Sequence, residues 1–274
     1  MSSIVITVIN YANEQEVIEY AKMLTKQTIA ENLRLVVVNN KSTENVEFNL
    51  EDELSKINLN IKVYIPDENL GYLNGCFYGY EKFLECEIKS DIKWSVVSNT
   101  DILIEDEKFF EKLYVNKYSE DIWCIAPSIY SPTTQTFQNP QYLERHSLEK
   151  LNRIIKIHSN KYFAYVYAKL ATFKARNKNT LEKESQFVYS AHGCFFILNP
   201  KFMKSLSTEK YGAFLYSEEA FIAESIRKHN KKCFYDNCLK LIHFENSVTG
   251  LLGVEKRAKY IKESLQYIVN EFYR

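Results

Sequence analysis

An aspartate placed directly after a buried strand is the first group in this chain that could do chemistry. Asn99-Thr100-Asp101 follows the apolar run Trp94 to Ser98, and ligands of parallel sheets bind at the carboxyl ends of the strands. A carboxylate there can hold a divalent cation against a diphosphate, because hard cations prefer oxygen ligands. An aspartate in this position also forms turns and caps helices, so the residues alone leave both interpretations open.

Further acids and a histidine stand at comparable positions later in the chain. Glu218 and Glu219 precede a helical stretch, where one could be a general base or both could simply favour the helix start. His243 ends the apolar strand predicted from Leu239 and begins a polar loop that runs to Ser247. A histidine at a strand end can bind a metal or a phosphate, or serve the structure alone.

Glycines mark the segment between these groups. Gly71 can take a positive φ and let the backbone approach a ligand. Gly75 and Gly79 leave a flat strip on a predicted helix, which close helix–sheet packing would also explain. The pattern is neither GxGxxG nor GxxxxGK[ST], so it supports neither a Rossmann dinucleotide site nor a P-loop.

Alternating strands and helices must position these residues. Apolar runs predict strands at Ile4 to Ile9, Leu33 to Val38, Ile61 to Ile65, Trp94 to Ser98 and Ile122 to Ala126, then near Cys233 to Tyr235 and Leu239 to His243. Helical periodicity appears at Glu14 to Gln27, in an acidic stretch that follows the polar turn Asn39 to Glu44 and ends at about Ile57, and at Leu73 to Glu87. Further helices are predicted from about Lys201, from about Tyr216, and at Val254 to Phe272. Strands that are apolar on both faces predict an α/β fold with a parallel sheet covered on both sides.

Composition narrows the function classes. The chain has 274 residues with 35 basic and 35 acidic side chains, and a net charge of zero argues against a protein that coats nucleic acid. With 46% hydrophobic residues it is neither disordered nor collagen-like. The first residues do not resemble a signal peptide, and no apolar run is long enough to span a bilayer. Six scattered cysteines, without a CxxC pair or a neighbouring histidine at ligand spacing, predict buried free thiols in a reducing cytoplasm.

One region is strongly basic. Between Arg145 and Lys183 there are ten Lys or Arg and two acids, interleaved with the aromatic residues Tyr162, Phe163, Tyr165, Tyr167 and Phe173. This pattern fits a solvated helical excursion whose aromatic side chains pack on the core. It equally fits a surface that meets anionic lipid headgroups or a lipid-phosphate-bearing acceptor.

The order of these features resembles the family 2 glycosyltransferases of the GT-A fold, especially bacterial rhamnosyltransferase-like members. The resemblance covers most of the chain and is weakest in the basic region. It rests on six segments in family order, which are Val36 to Thr43, Asn69 to Tyr72 with Asn74 and Gly75, Ser98 to Asp101, Gly193 to Leu198, Phe214 to Glu219, and Leu241 to His243.

The resemblance implies one GT-A domain over residues 1–274, with a mostly parallel central sheet flanked by helices. Residues 1–128 would form the Rossmann-like half that binds the nucleotide sugar, 129–186 the basic insert, and 187–274 the acceptor-binding and catalytic half. The implied reaction is inverting transfer from a UDP- or dTDP-sugar to a saccharide, lipid-linked in surface polysaccharide synthesis. The protein would be cytoplasmic, with peripheral contact to an anionic membrane, and would bind no nucleic acid.

The resemblance also implies roles for single residues. The nucleotide would lie against Thr7, Ile9, Tyr11, Asn39, Asn69, Gly71 and Asn99. Asp101 would coordinate Mg²⁺ or Mn²⁺, with His243 on the opposite side of the metal or diphosphate. Glu219 falls on the position of the catalytic base, with Glu218 as its acidic neighbour.

The chain departs from the family pattern at three positions. Asn39 replaces an aspartate after the second strand, Asn99 leaves one carboxylate at the metal site, and Phe221 replaces a third acid. Two other functions fit an α/β core of this kind. A sugar-1-phosphate nucleotidyltransferase would need a Gly- and Arg-rich loop that Asn10 to Glu16 lacks, and a binding scaffold would keep the fold without turnover.

Overall fold

The computed structural model describes residues 2–40, 49–87, 91–175, 180–245 and 253–273, with the backbone alone for 171–175. Several predictions lie outside the described residues. They concern Lys41, Ser42 and Thr43 of the first motif, the end of the loop after His243, and four positions of the basic region, which are the side chains of Phe173 and Lys174 and all of Arg176 and Lys178.

The strands of the described residues form a single ten-stranded sheet in the order β3-β2-β1-β4-β9-β6-β10-β5, with β7 beside β6 and β8 beside β10. The strands are β1 (Ser3–Asn10), β2 (Leu33–Asn39), β3 (Asn60–Tyr64), β4 (Ile92–Ser98), β5 (Ile102–Leu103), β6 (Ile122–Ser131), β7 (Thr136–Phe137), β8 (Gln186–Val188), β9 (Phe195–Leu198) and β10 (Lys232–His243). The first four are mutually parallel, as their hydrophobic runs predict.

Helices cover both faces of the sheet. They are α1 (Glu14–Thr25), α2 (Leu50–Ser55), α3 (Tyr72–Cys86), α4 (Phe109–Val115), α5 (Leu148–His158), α6 (Lys161–Ala175), α7 (Pro200–Glu209), α8 (Glu218–Lys228) and α9 (Val254–Phe272). Alternate residues of β1 explain the two layers. Ile4, Ile6 and Val8 pack with α1, α2 and α4, whereas Val5 packs with α3, α7, α8 and α9.

The second half of the sheet is mixed rather than parallel. Strand β9 runs antiparallel between β4 and β6. Strand β10 is continuous over Lys232–His243, which corrects the prediction of two short strands, and its pairing with β6 shifts register between Asp236 and Lys240. The polar residues at this irregularity resemble a turn in the sequence, although the strand continues through them.

The basic region forms the helices α5 and α6. Helix α6 contacts α5 and α9 through the buried Ala164, while Tyr162 and Phe163 are 72% and 64% exposed. The prediction that the aromatic residues pack on the core is therefore wrong for these two. No helix among the described residues is long and apolar enough to cross a membrane.

All six cysteines are free thiols. Cys76, Cys124, Cys194 and Cys233 are buried, as expected, and Cys86 and Cys238 are exposed.

Candidate active site

Asp101 lies at the edge of the sheet where β1, β2 and β4 end. The residue is only 7% exposed, and neither carboxylate oxygen has a hydrogen-bond partner among the described residues. A buried carboxylate without a partner costs several kcal/mol unless a cation or a proton compensates it. Asp101 therefore needs a positively charged neighbour.

The neighbour of Asp101 is His243. Residue 243 pairs with Ile102 of β5 in antiparallel register, and the backbone N–H of Phe244 donates to the Asp101 carbonyl at 3.0 Å. This pairing brings His243 Nε2 to 3.4 Å from Asp101 Oδ2. The histidine is 5% exposed, and its Nε2 has no hydrogen-bond partner in the described part of the chain.

The other ring nitrogen of His243 fixes the tautomer. Nδ1 lies 2.7 Å from Gln138 Oε1, and the amide nitrogen of Gln138 donates to Glu245 Oε1 at 2.5 Å. Because a carboxylate only accepts, this second bond orients the amide so that its oxygen faces the histidine. A neutral His243 then carries its proton on Nδ1 and turns the Nε2 lone pair toward Asp101.

With His243 in its neutral form, two acceptors face each other in a buried place, and a cation between them resolves the conflict. Two ligands of one divalent cation, with bonds of about 2.0–2.2 Å, lie about 3–3.5 Å apart, which matches the separation of Asp101 Oδ2 and His243 Nε2. A histidine that donates its other nitrogen to an oxygen is the usual arrangement at a metal. These residues fit a divalent cation.

The segment His192-Gly193-Cys194 closes a third side of this place. His192, Cys194 and His243 each offer a ligand atom, and these atoms lie within 4.8 Å of one another. The prediction that no cysteine has a histidine at ligand spacing is therefore wrong, because His192 stands two residues before Cys194. The signal was present in the sequence as His-x-Cys at the start of a core strand.

Burial governs the charge of both residues. It raises the pKa of the Cys194 thiol well above its usual value, assisted by the negative charges of Asp101 and Glu219. Burial and the neighbouring His243 lower the pKa of His192 to about 3. The backbone N–H of Cys194 donates to His192 Nδ1 at 3.2 Å, so the neutral His192 ring carries its proton on Nε2.

Glu219 lies on the other side of the same segment. A Cβ on Gly193 would stand 2.7 Å from Glu219 Oε1, so only glycine leaves room for this carboxylate. Burial raises the pKa of Glu219, and hydrogen bonds from its own N–H and that of Gly193 partly offset the rise. Gly193 therefore contacts Glu219, while its neighbours His192 and Cys194 lie beside His243.

Glu218 points away from that segment. It is 8% exposed and accepts a hydrogen bond from the N–H of Tyr216 at 2.9 Å. Burial raises its pKa to about 8, and the charge of Glu219 adds to the rise. Glu218 is therefore a protonated carboxyl near neutral pH that holds the turn before α8.

This turn is strained. Tyr216 and Ser217 both have positive φ, 69° and 61°, which costs non-glycine residues on the order of 1–3 kcal/mol each. Besides the bond to Glu218, the Tyr211 hydroxyl donates to the Tyr216 carbonyl, and the Ser217 hydroxyl lies 2.9 Å from that of Ser264 on α9. The turn starts α8 so that Glu219 reaches Gly193.

Asn40 is not among the predicted site residues, yet its side chain organises the loop before α3. This loop carries the predicted nucleotide residues Asn69 and Gly71. It is 2% exposed, its amide donates to Asn69 Oδ1 at 2.9 Å and to the Gly71 carbonyl at 2.8 Å, and its Oδ1 accepts from Leu70 N–H. Asn39 accepts from the Asn10 amide at 3.1 Å. Of the two adjacent asparagines, Asn40 therefore holds the loop before α3, and Asn39 pairs with Asn10.

The loops before α3 and α8 touch at Gly71. Its φ is 78°, and a Cβ there would lie 2.1 Å from the carbonyl oxygen of Phe214. The Asn74 side chain donates to the Tyr211 carbonyl and accepts from the Tyr211 N–H, each at 2.8 Å. These contacts join the predicted nucleotide loop to the loop that positions Glu219.

Four of the predicted nucleotide residues come from β1 and β4 or their ends, and they differ in access. Thr7 is fully buried with Cγ2 under Gly79 of α3, so it does not face the cleft, because the in–out alternation of β1 turns it into the α3 layer. Ile9 packs under Gly75 and is partly exposed. Tyr11 is exposed, and the Asn99 backbone N–H donates to the Cys194 carbonyl at 2.8 Å.

An open groove of about 570 Å³ runs from Asp101 along α1. Glu16, Tyr20, Thr100 and Phe244 contribute to its walls, whereas Glu219 does not.

No family model and no curated protein matches this chain, but solved structures resemble it. Mannosyltransferase PcManGT from Pyrobaculum calidifontis, in complex with GDP-Man and Mn²⁺, has a TM-score of 0.55 at 9% identity over 96% of this chain and 68% of its own. GalNAc-T7 with UDP, GalNAc and Mn²⁺ has a TM-score of 0.55 at 11% identity over 99% of this chain and 50% of its own. At such identities the likeness shows the fold, and the predicted GT-A-type α/β fold is confirmed.

Proposed function

We propose that this chain is a glycosyltransferase that uses a nucleotide-sugar donor and a divalent cation. One observation carries the proposal. Asp101 and His243 lie 3.4 Å apart, and segment 192–194 brings Cys194 beside His243 and Gly193 beside the Glu219 carboxylate. In a GT-A fold this is the carboxyl edge of the sheet, where ligands bind.

Asp101 and His243 are the proposed holders of Mg²⁺ or Mn²⁺. The solved PcManGT and GalNAc-T7 structures each contain Mn²⁺ together with nucleotides, which supports the same cation class here. When bound, the cation supplies positive charge that stabilises a departing nucleoside diphosphate. His243 is oriented for this task by Gln138.

The proposed donor site runs along the ends of β1, β2 and β4. Its residues are Ile9, Tyr11, Asn39, Asn69, Gly71 and Asn99, and the first choice of donor is a UDP- or dTDP-sugar. The side chains of Asn39 and Asn69 are amides, which read a nucleobase or ribose by hydrogen bonds rather than by charge. The Asn40 contacts support this by holding the loop of Asn69 and Gly71 in place.

Glu219 is the proposed catalytic base of an inverting reaction. It would accept the proton of an acceptor hydroxyl, whose oxygen attacks the anomeric carbon as the bond to the diphosphate breaks on the opposite face. A carboxylate whose pKa is raised toward neutrality is a better base than an ordinary one, and burial raises the pKa of Glu219. Glu218 assists as a neighbour that stays neutral.

The proposed acceptor is a saccharide, lipid-linked in surface polysaccharide synthesis, and met at the cytoplasmic face of a membrane. Residues 187–274 would bind it, residues 1–128 the donor, and the insert 129–186 the membrane. The exposed aromatic residues of α6 and the basic residues around them support peripheral contact with anionic lipid.

A thermal-shift screen of nucleoside diphosphates and nucleotide sugars, with and without Mn²⁺, tests this function. A ligand present at about 100 times its dissociation constant stabilises the fold by roughly 2.7 kcal/mol, so the preferred base and sugar should stand out only when Mn²⁺ is present. The best donor is then assayed for transfer and hydrolysis. A uniform absence of nucleotide shifts would contradict the function, and binding without turnover would instead favour a non-catalytic scaffold.

A further inference from the structure

We propose that the sulfur of Cys194 is a third protein ligand of the cation that Asp101 and His243 hold. This inference rests on the proposed function, because it concerns the same cation. It makes the site a mixed oxygen, nitrogen and sulfur site, whereas Mg²⁺ sites consist of oxygen ligands.

The first step is the position of the thiol. Cys194 is 3% exposed, and its Sγ lies within 4.8 Å of the ligand nitrogen of His243. His243 Nε2 also lies 3.4 Å from Asp101 Oδ2, so His243 has both the thiol and the carboxylate as neighbours. The carboxylate oxygens of Asp101 and Nε2 of His243 have no hydrogen-bond partner among the described residues, and both residues are more than nine-tenths buried.

His192 and Cys194 differ in whether they have a lone pair to offer a metal. The Nδ1 lone pair of His192 is occupied by the N–H of Cys194 at 3.2 Å, so in the neutral ring Nε2 carries the proton and has no lone pair for a metal. His192 therefore positions the backbone of Cys194. The sulfur of Cys194 is therefore the ligand that we assign to this segment.

The third step is the chemistry of binding. A thiol binds a cation as thiolate, so the Cys194 S–H bond breaks, its proton passes to solvent, and a metal–sulfur bond forms with no change of oxidation state. Soft thiolate favours Zn²⁺, Co²⁺ and Cd²⁺ over Mg²⁺. The site should thus rank cations by their affinity for sulfur, and Mn²⁺ should bind more weakly than these.

Cobalt and cadmium report sulfur ligation directly. In a background with the exposed thiols removed, Cys86→Ser and Cys238→Ser, Co²⁺ should give a thiolate-to-cobalt charge-transfer band in the near ultraviolet. Cys194→Ser should abolish this band and lower the ratio of Cd²⁺ to Mn²⁺ affinity by about tenfold or more. Cys124→Ser is the matched control, because Cys124 is buried and pairs with Leu198 at the opposite end of β9.

The outcomes separate this inference from the function beneath it. A Co²⁺ complex without the band, or an equal loss in Cys194→Ser and Cys124→Ser, overturns sulfur ligation. If Mn²⁺-dependent nucleotide binding persists in that case, the glycosyltransferase proposal stands. If no cation binds the parent protein at all, both fail. Should Cys194→Ser not fold, as judged by circular dichroism, Cys194→Ala and the band of the parent protein decide.

Discussion

Glu218 and Glu219 are adjacent in sequence, yet they meet different surroundings. The Glu219 carboxylate contacts Gly193 next to the proposed cation site, whereas Glu218 accepts a hydrogen bond from the N–H of Tyr216. Because Glu218 is buried as a neutral carboxyl, it places no negative charge beside Glu219. In the proposed reaction Glu219 would be the base and Glu218 its neutral neighbour.

Glu218→Gln should change how stability depends on pH. Burial raises the pKa of Glu218 from 4.5 to about 8, so the folded protein keeps a proton that the unfolded chain loses, and the free energy of unfolding falls as pH rises between these values. Glutamine removes this decline in the free energy of unfolding. The decline amounts to a few kcal/mol, because each pH unit between the two pKa values contributes about 1.4 kcal/mol. Urea unfolding at pH 5, 6.5 and 8 measures it, with the exposed Glu209→Gln as control; parallel pH profiles for Glu218→Gln and the parent would contradict the assignment.

Gly193→Ala should reduce turnover while leaving the fold intact. The new Cβ would stand 2.7 Å from Glu219 Oε1 and push the carboxylate aside, and a displacement of about 1 Å can cost roughly a hundredfold in rate. We expect kcat to fall about 10–100-fold and the melting temperature to stay nearly constant, because the glycine φ is one that alanine adopts. Turnover with the preferred donor checks this, and an alanine variant of full activity would remove Glu219 from the reaction.

The sequence predicts which residues belong to the candidate site better than it predicts where their side chains point. The position of Asp101 after a strand and of His243 at a strand end predicts that both lie at one edge of the sheet. The face of β1 that carries Thr7 and the turn of the His192 ring toward Cys194 N–H are side-chain directions. Neither is encoded by spacing along the chain.

The loops before α3 and α8 act as one element. Gly71 allows its chain to pass against the Phe214 carbonyl, and Asn74 binds the backbone of Tyr211. A change in the nucleotide loop would therefore be felt at the turn that holds Glu219. These contacts would link the proposed donor loop to the proposed base.

Gly71→Ala should destabilise the protein by about 2 kcal/mol or more. Alanine at a φ of 78° is strained, and its Cβ would collide with the backbone oxygen of Phe214. Gly253→Ala is the matched control, because a Cβ at Gly253 meets nothing within 4 Å. Chemical denaturation of both variants checks this, and equal stability of the two would show that the loop contact is not tight.

Element boundaries follow the sequence where the pattern is local. The bounds of α9, Val254–Phe272, match the helix predicted from its periodicity, and the strands β1 to β4 match to within two residues. Strand β6 runs to Ser131, five residues beyond its predicted end at Ala126. The short β5 and the helix α4 are not predicted, because β5 exists through its pairing with His243 and Ile242. The continuity of β10 likewise depends on its partner β6 rather than on its own residues.

Across the whole molecule, the basic and aromatic helices α5 and α6 lie on the sheet face opposite α1 and α2. Arg153, Lys156 and Lys169 are exposed there, beside the exposed aromatic residues of α6. The overall charge is zero, so any attraction to anionic lipid must come from this face. The orientation would turn one face of the sheet toward a membrane.

Charge reversal at this face should abolish vesicle binding. The parent should sediment with vesicles that contain phosphatidylserine, less so at high salt, because Debye screening weakens the attraction. Arg153→Glu with Lys156→Glu and Lys169→Glu should remain in solution. Lys22→Glu with Lys26→Glu and Lys56→Glu, on the opposite face, makes an equal charge change as control. Equal sedimentation with neutral vesicles would contradict attachment by charge.

The central claim is that Asp101 and His243 hold a cation against a nucleoside diphosphate beside Glu219. Calorimetric titration of the preferred nucleoside diphosphate, with Mn²⁺ and with chelator, tests it most directly in the parent, Asp101→Ala and Glu219→Gln. We predict that Mn²⁺ strengthens binding to the parent and to Glu219→Gln, and that Asp101→Ala loses this gain. Identical binding curves for the parent with and without Mn²⁺, or an undiminished gain in Asp101→Ala, would contradict the account.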